Sequence, residues 1–402
     1  AGNNTAVGRM ALSANTTGAN GTGLGHQALI LNTTGADNTA VGKDALAQNT
    51  TANYGVAVGA YALDANTTGD NNIAIGRSAL GVNTTGASNT VVGTFALDAN
   101  TTASNNTAMG YSALTTNTTG GQNTGVGHNA LYGTTTGSGN TGLGQGALQG
   151  NTTGANNTAV GQASLSVSTT GADNVAVGKN SSAANTTGTR NTCIGSNAGK
   201  NITTGAENVV VGYRAGDFTT NLVHGSGNVL VGTFTYPNAD GGNSQIVLGY
   251  NVSGTGNSTL TFGSGTTDTT CTMGQTTWSA PSDIRLKEDI QDEEVGLDFI
   301  NDLRPVTFLW KKEKDIPSEM RAYKEGSEER TMNGKYNHGF IAQEVKEVID
   351  IHGLKEGFDL WKEDGEDKRQ RVGESALIPM LTKAIQELST QLDAALARIT
   401  TL

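Results

Sequence analysis

Glycine recurs every 17 residues from residue 8 to residue 212, thirteen times without a single insertion or deletion. After an insertion of three residues, Gly232 and Gly249 continue the spacing. A strict period of this length predicts a repeat architecture in which each unit stacks on its neighbours. The uninterrupted series consists of Gly8, Gly25, Gly42, Gly59, Gly76, Gly93, Gly110, Gly127, Gly144, Gly161, Gly178, Gly195 and Gly212.

The consensus unit is Asn-Thr-Ala-Val-Gly-x-x-Ala-Leu-x-x-Asn-Thr-Thr-Gly-Ala-x. Its two short apolar pieces, Ala-Val and Ala-Leu, are flanked by turn residues, and neither can bury its apolar side alone. We therefore expect a parallel β-solenoid with rungs roughly 4.8 Å apart, so that thirteen rungs extend about 60 Å. Recurrent Asn and Thr favour tight corners with stacked, hydrogen-bonded amides. The expected buried ladder is Val7, Leu24, Val41, Val58, Ile75, Val92 and Met109.

The polar corners of the repeat admit two other interpretations. Asn-Thr-Thr triplets such as the one at Asn66 match the glycosylation acceptor pattern. Asp37, Asp70 and Asp173 share one corner, where carboxylates can hold calcium. The strict period explains the triplets better as solenoid corners, and the Gly-Gly-x-Gly-x-Asp pattern of calcium-binding rolls is missing from the sequence. We therefore predict no metal and no cofactor.

Composition changes abruptly near residue 282. Residues 1–281 hold 7 Lys/Arg and 10 Asp/Glu, whereas the 121 residues from 282 to 402 hold 18 and 26. Both parts are acidic, which argues against nucleic acid or an anionic membrane as a partner. No apolar run is long enough to span a bilayer. Cys193 and Cys271 are far apart in sequence and predict neither a metal site nor a disulfide framework.

The Thr-Ala-Val-Gly-x-x-Ala element resembles the repeats of trimeric autotransporter adhesin heads over residues 1–217. The resemblance implies parallel β-rolls in which three chains associate. Residue 1 falls inside a repeat, so we expect the natural chain to continue upstream. Residues 218–281 are richer in aromatic residues and contain two strand-like runs. We predict that they form a distal β cap, with binding of a glycan by ring stacking as the alternative use of the aromatics.

Four landmarks follow in order after residue 281. They are Ser-Asp-Ile-Arg-Leu-Lys at 282–287, Leu-Arg-Pro-Val-Thr-Phe-Leu-Trp at 303–310, His-Gly-Phe-Ile-Ala-Gln-Glu-Val at 338–345, and an Ile/Leu-rich run at 376–388. In this order they resemble the endosialidase-type intramolecular chaperone domain found at the end of many phage tail fibres and tailspikes. The resemblance implies a trimeric chaperone that assembles three fibre chains and then releases itself by Ser–Lys autoproteolysis.

The resemblance assigns the nucleophile to Ser282 and the base to Lys287. A serine hydroxyl needs a base, and lysine serves only when burial or neighbouring cations lower the pKa of its ammonium. Arg285 is close enough in sequence to contribute to such a lowering of the Lys287 pKa. The predicted cut is the Ser282–Asp283 bond, although the sequence does not decide which side of the serine breaks. Gln343 and Glu344 are candidates for support of the site. Alone, a Ser-x4-Lys pair carries almost no information, and the other landmarks give it weight.

The end of the chain carries a heptad-like seam whose apolar residues are spaced alternately by three and four. This alternation predicts a coiled coil over residues 376–402, while an amphipathic helix packed on its own domain is the alternative. Isoleucine and leucine at these positions would by themselves favour two strands, so the trimer is implied only by the resemblances. The seam consists of Ile378, Leu381, Ile385, Leu388, Leu392, Ala395, Ile399 and Leu402.

The sequence thus predicts a mainly β protein in three parts. Residues 1–217 form a trimeric solenoid shaft, residues 218–281 a distal cap, and residues 282–402 a small α+β chaperone domain ending in a coiled-coil helix. The expected function is a homotrimeric phage tail fibre, located in the virion and assembled in the host cytoplasm. It would bind a host surface glycan or receptor and an upstream fibre or virion component, with self-cleavage as its only enzymatic activity.

Three alternatives belong to other classes. An extracellular adhesin or filament would keep the C-terminal part as a permanent trimerisation cap. A polysaccharide-degrading spike would need paired carboxylates, which the repeats do not offer within one unit. The resemblance also extends to a membrane-tethered eukaryotic transcription factor, but the Gly-rich acidic region upstream argues against a regulator of that kind.

Overall fold

The computed structural model describes residues 2–265, 267–275, 278–279, 282, 284–320, 322–332, 334–354, 360–363 and 368–400, without the side chain of Leu286. Its contacts divide the chain into two compact units, Ala1–Ser282 and Asp283–Leu402, each of which is described by itself. The sequence-based boundary at 217 stays a prediction. None of the described helices is long and apolar enough to cross a membrane.

The first unit is a parallel β-solenoid with one short strand per rung, which confirms the predicted fold class. Strands β1 to β16 pair parallel in chain order, and β17 pairs antiparallel with β16. The strands are β1 Thr5–Val7, β2 Thr22–Leu24, β3 Thr39–Val41, β4 Val56–Val58, β5 Ile73–Ile75, β6 Thr90–Val92, β7 Thr107–Met109, β8 Thr124–Val126, β9 Thr141–Leu143, β10 Thr158–Val160, β11 Val175–Val177, β12 Thr192–Ile194, β13 Val209–Val211, β14 Val229–Val231, β15 Ile246–Tyr250, β16 Thr259–Ser264 and β17 Thr267–Thr272.

The periodic glycine follows each of the strands β1 to β14, because the backbone there is left-handed and touches the next rung. Gly42 has a φ of 137°, and a Cβ atom at this position would lie 2.6 Å from the carbonyl oxygen of Gly59. The Gly42 N–H donates to the carbonyl of Leu24 on the preceding rung at 2.8 Å. Only glycine tolerates both this φ and this short distance to the next rung. The glycine period in the sequence therefore reflects the contact between successive rungs.

Alanine and leucine fill the interior, not the predicted aliphatic ladder. Ala40, the middle residue of β3, and Leu46 in the following turn are fully buried, as are their equivalents in most other rungs. The expected ladder residues Val7, Leu24, Ile75 and Met109 are exposed on the outer face. The reason is the alternation of side chains along a strand: in a three-residue strand only the middle residue points inward.

Two columns of buried asparagine confirm the predicted amide stacking. Asn49 Nδ2 donates to Asn32 Oδ1 at 2.7 Å, and Asn83 Nδ2 donates to Asn66 Oδ1 at 2.8 Å. In the second column, the backbone N–H of Asn89 donates to the Asn72 side chain at 3.0 Å. Asn66 is buried and committed to this network, so its Asn-Thr-Thr triplet is a corner of the solenoid rather than a glycan acceptor.

Among its described residues, the second unit contains small sheets and three α-helices. Its helices are α1 Leu297–Asp302, α2 Ala342–Ile351 and α3 Leu377–Thr400, with 3-10 turns at Ile284–Leu286, Glu313–Asp315 and Glu374–Ala376. Its strands are β18 Val306–Phe308, β19 Asn337–Gly339, β20 Trp361–Glu363 and β21 Gln370–Val372. Strands β18 and β19 pair antiparallel, and so do β20 and β21.

A compact core joins the three helices of this unit. Phe299 of α1 packs with Val345 and Ile349 of α2 and with Leu377 and Met380 of α3. Two polar contacts fix the same helices. The backbone N–H of Leu297 donates to Glu387 Oε2 at 2.8 Å, and His352 Nε2 lies 2.7 Å from Asp302 Oδ2.

We predict that Gly93→Ala destabilises the solenoid. The new Cβ would lie 2.2 Å from the carbonyl oxygen of Gly110, at a residue whose φ is 147°. Backbone strain of this kind costs about 1–3 kcal/mol, and separation of the two rungs adds to it. Thermal unfolding followed by circular dichroism should therefore show a lower midpoint for Gly93→Ala. Gly256→Ala is the control, because its Cβ would meet only Thr259 Cγ2 at 3.8 Å. Equal midpoints for both variants would contradict the close rung contact.

Candidate functional site

The predicted cleavage segment lies where the first compact unit ends. Ser282 is exposed and is the last residue of that unit. A 3-10 turn over Ile284–Leu286 follows, and the Lys287 N–H donates to the carbonyl of Ile284 at 3.2 Å. Arg285 and Lys287 are exposed in the single chain. Ser282, Arg285 and Lys287 are therefore all accessible to solvent.

Asp283, on the other side of the predicted scissile bond, lies outside the described residues. The catalytic roles of Ser282 and Lys287 and the contribution of Arg285 stay predictions. The Lys287 side chain is exposed in the single chain.

The two candidate supporting residues begin helix α2. Gln343 is exposed, and Glu344 is paired with Arg304 across the unit, with Arg304 Nε donating to Glu344 Oε2 at 2.9 Å. The Arg304 guanidinium lowers the pKa of the Glu344 carboxyl through this hydrogen bond. This ion pair links the second and third sequence landmarks, which gives Glu344 a structural role in addition to its predicted one.

Three of the four landmarks converge on one groove, a feature that the sequence did not predict. The groove has a volume of about 650 Å³ and is lined by Pro305 and Val306 from the second landmark, Phe340 from the third, and Leu377 and Leu381 from the fourth. Two of its lining residues, Val306 and Gly339, lie opposite each other in the antiparallel pair of β18 and β19. These three landmarks are therefore packed together in space and not merely ordered in sequence.

Helix α3 presents the predicted seam to solvent in the single chain. Its buried residues are Leu377, Met380 and Ala384, which pack on the domain through a separate face. The described seam residues are exposed, and Leu402 lies outside the described residues. The helix therefore combines a short intradomain face with a long unpartnered apolar one. The exposed seam residues are Ile378, Leu381, Ile385, Leu388, Leu392, Ala395 and Ile399.

The charged stretch between β18 and β19 is a long hairpin-like arm. Lys312 and Arg330 form an isolated antiparallel bridge within it. The carboxylate of Glu328 accepts hydrogen bonds from the ammonium groups of Lys312 and Lys314. These bonds lower the pKa of Glu328 to about 2. A cluster of opposite charges thus closes the arm.

A second candidate surface is a cluster of aromatic rings on the solenoid. Tyr213, Phe234 and Tyr250 stand on successive rungs, with ring centroids 5.5 Å and 6.2 Å apart. Phe218 packs on Phe234 at 4.5 Å, and the Arg214 guanidinium lies 5.4 Å from the Phe218 ring. Tyr213, Phe218 and Tyr250 are exposed. The sequence signalled this surface only as a local rise in aromatic residues.

Comparison with known proteins identifies the C-terminal segment. Residues 282–354 match the model of the family described as the chaperone of endosialidase. This family is a self-cleaving chaperone domain, and the match begins at Ser282. It includes the first three landmarks, while the fourth lies beyond it. Together with the β-solenoid, the match supports a tail-fibre-like protein with a C-terminal chaperone domain. No curated protein and no solved structure is significantly similar to the chain.

We predict that Glu328 titrates far below an ordinary glutamate. Because its pKa is lowered in the folded arm, the pairing stabilises the arm fully above pH 4.5 and is lost only as the pH falls through about 2. Carboxyl carbon NMR of glutamate-labelled protein should place its midpoint near 2. The double variant Lys312→Met, Lys314→Met should move that midpoint upward. A midpoint near 4.5 in the unaltered protein would show that the charge cluster does not form.

Proposed function

We propose that this protein is the shaft and chaperone of a homotrimeric phage tail fibre that attaches to the host surface. The observation that carries the proposal is the chaperone match beginning at Ser282, directly after an in-register β-solenoid. The exposed seam of α3 supports assembly, since burying an apolar face of this length requires another chain. The fibre would be part of the virion after assembly in the host cytoplasm, joined to an upstream fibre or virion component.

The chaperone role follows from the folding problem that the solenoid poses. Pairing many nearly identical rungs is a non-local process and therefore slow. Three chains joined first at their C-terminal helices would begin at the same residue and at high local concentration. The shaft would then grow away from that end in register. Removal of the chaperone afterwards would leave the shaft without a route back from the unfolded state, which is kinetic stability.

Self-cleavage would proceed through Ser282 and Lys287. A serine hydroxyl reaches its own carbonyl carbon only by closing a four-membered lactone. A cut of the Ser282–Asp283 bond would therefore use the Ser282 hydroxyl of a neighbouring copy, whereas a cut of the bond before Ser282 would use the serine's own hydroxyl. In both cases the hydroxyl would add to the scissile carbonyl and form an ester while the Lys287 amine takes its proton. Lysine would then return the proton to the departing amine, and water would hydrolyse the ester. A neutral amine is favoured by burial, and Lys287 is exposed in the single chain. Assembly would therefore have to precede the cut, so that only folded fibres lose their chaperone.

The exposure of Lys287 also favours the alternative of an extracellular adhesin or filament with a permanent cap. Both functions use the C-terminal domain for assembly and differ only in its release.

The cleavage proposal predicts that freshly made protein splits near residue 282. Intact mass and a denaturing gel should show two fragments for the unaltered chain and one full-length chain for Ser282→Ala and Lys287→Ala. Lys287→Arg should also stay whole, since it keeps the charge and loses the base. The matched control is Ser279→Ala, an exposed serine nearby that should still permit cleavage. A full-length unaltered chain would favour the permanent cap, and splitting of Ser282→Ala would point to an external protease.

For attachment, we propose that the aromatic cluster around Phe234 binds a saccharide, since exposed ring faces suit stacking and Arg214 lies beside them. The double variant Tyr213→Ala, Tyr250→Ala should weaken binding to an array of bacterial surface polysaccharides by at least about tenfold, or about 1.4 kcal/mol. Tyr54→Ala removes an equally exposed tyrosine elsewhere and should bind normally. Equal binding by all three proteins would exclude this surface.

A further inference from the structure

The outer face of the solenoid sheet carries an uninterrupted apolar row along its whole length, beside a second row of threonine and β-branched apolar residues. The third residue of each of β1 to β15 points outward and is always Val, Leu, Ile or Met, and Phe262 of β16 continues this row opposite Leu248. The first outward residue is Thr, Val or Ile, apart from the terminal strand β16. Within β1 to β16, all of whose residues are described, there is no charged side chain.

This composition is unlike that of a sheet face in contact with water. Solvated sheet faces alternate apolar inside with polar outside, whereas parallel sheets occur almost only with both faces covered. Sixteen strands about 4.8 Å apart extend about 70 Å, and a three-residue strand is about 10 Å wide. The face therefore covers about 700 Å², close to the ~800 Å² that each partner contributes to a stable interface. Single monomers rarely expose a contiguous apolar patch larger than a few hundred Å².

The repeat determines which partner fits. The outward side chains recur once per rung, so a partner needs protruding groups and hollows at the same spacing along the whole length. A second copy of this chain has that spacing by construction. Its parallel alignment would also be consistent with the exposed seam of α3, which offers an interface to another copy at one end of the chain.

We propose that the outer face of β1 to β16 is the surface through which copies of this chain pack on one another in register. This inference rests on the proposed homo-oligomeric fibre and adds to it the surface that is buried. The variable residues in the turns, including the aromatic cluster, would then be left for solvent and ligands. The seven predicted ladder positions would then be apolar because a neighbouring copy covers them, and not because they lie inside one chain.

The test compares cysteines on the face with cysteines in the turns of the same rungs. Leu24 and Leu31 belong to one rung and are 46% and 41% exposed, and Ile75 and Val82 belong to another and are 40% and 46% exposed. Leu24 and Ile75 lie on the face, whereas Leu31 and Val82 lie in turns. Both native cysteines are buried, and burial raises the pKa of the Cys193 thiol to about 12, so added thiols dominate the labelling.

Full-length Leu24→Cys and Ile75→Cys proteins, treated with a short bis-maleimide, should give covalently linked chains on a denaturing gel. The yield should be at least fivefold that of Leu31→Cys and Val82→Cys. Light scattering of each variant reports whether the oligomer exists. An oligomer in which turn cysteines crosslink as well as face cysteines would overturn the interface and leave the proposed fibre standing. An oligomer whose face cysteines react freely with a bulky polyethylene glycol maleimide would do the same. A monomer would overturn both.

Discussion

The close contact between successive rungs is the constraint on which the rest of the structure depends. Each periodic glycine leaves no space between its backbone and the next rung, and most other backbone groups of a rung are bonded to the rungs before and after it. A rung therefore has almost no stability of its own. The shaft is stable only as an array, which makes its folding cooperative along the axis and dependent on a correct start.

The same regularity makes it difficult to begin folding of the shaft in the correct register. Because the rungs are nearly identical, a chain displaced by one rung would find nearly the same contacts, so register is weakly specified by the shaft itself. A device that fixes register has to lie outside the repeats and has to be the same in every copy. The non-repetitive C-terminal unit, with its exposed helical seam, has both properties. The repetitive unit thus forms the shaft, and the non-repetitive unit has the properties that assembly in register requires.

Much of this architecture could be predicted from sequence, and the failures have physical causes. The glycine period and the amide columns were predicted because each is imposed by contacts that repeat unchanged. The predicted direction of the strand side chains was wrong, because the Ala-Val pair does not indicate which of its two residues faces inward. The narrow interior accepts Ala40 and Leu46 and leaves Val41 outside. The left-handed backbone conformation of residues such as Leu46, whose φ is 50°, is not indicated by any residue propensity in the sequence. In the second unit, helix α3 was predicted from its spacing, whereas the groove depends on contacts between distant segments that no local pattern encodes.

As a chaperone, the unit formed by residues 283–402 would be needed to form the shaft and not to maintain it. Refolding from denaturant distinguishes these two roles. The Ser282→Ala chain, which keeps its C-terminal unit, and mature shaft from which that unit has been removed after assembly would both be unfolded completely and diluted. The account predicts recovery of β structure and native mass for the first and little or none for the second. Equal recovery by the two would show that the shaft finds its own register and that the C-terminal unit is not a chaperone for it.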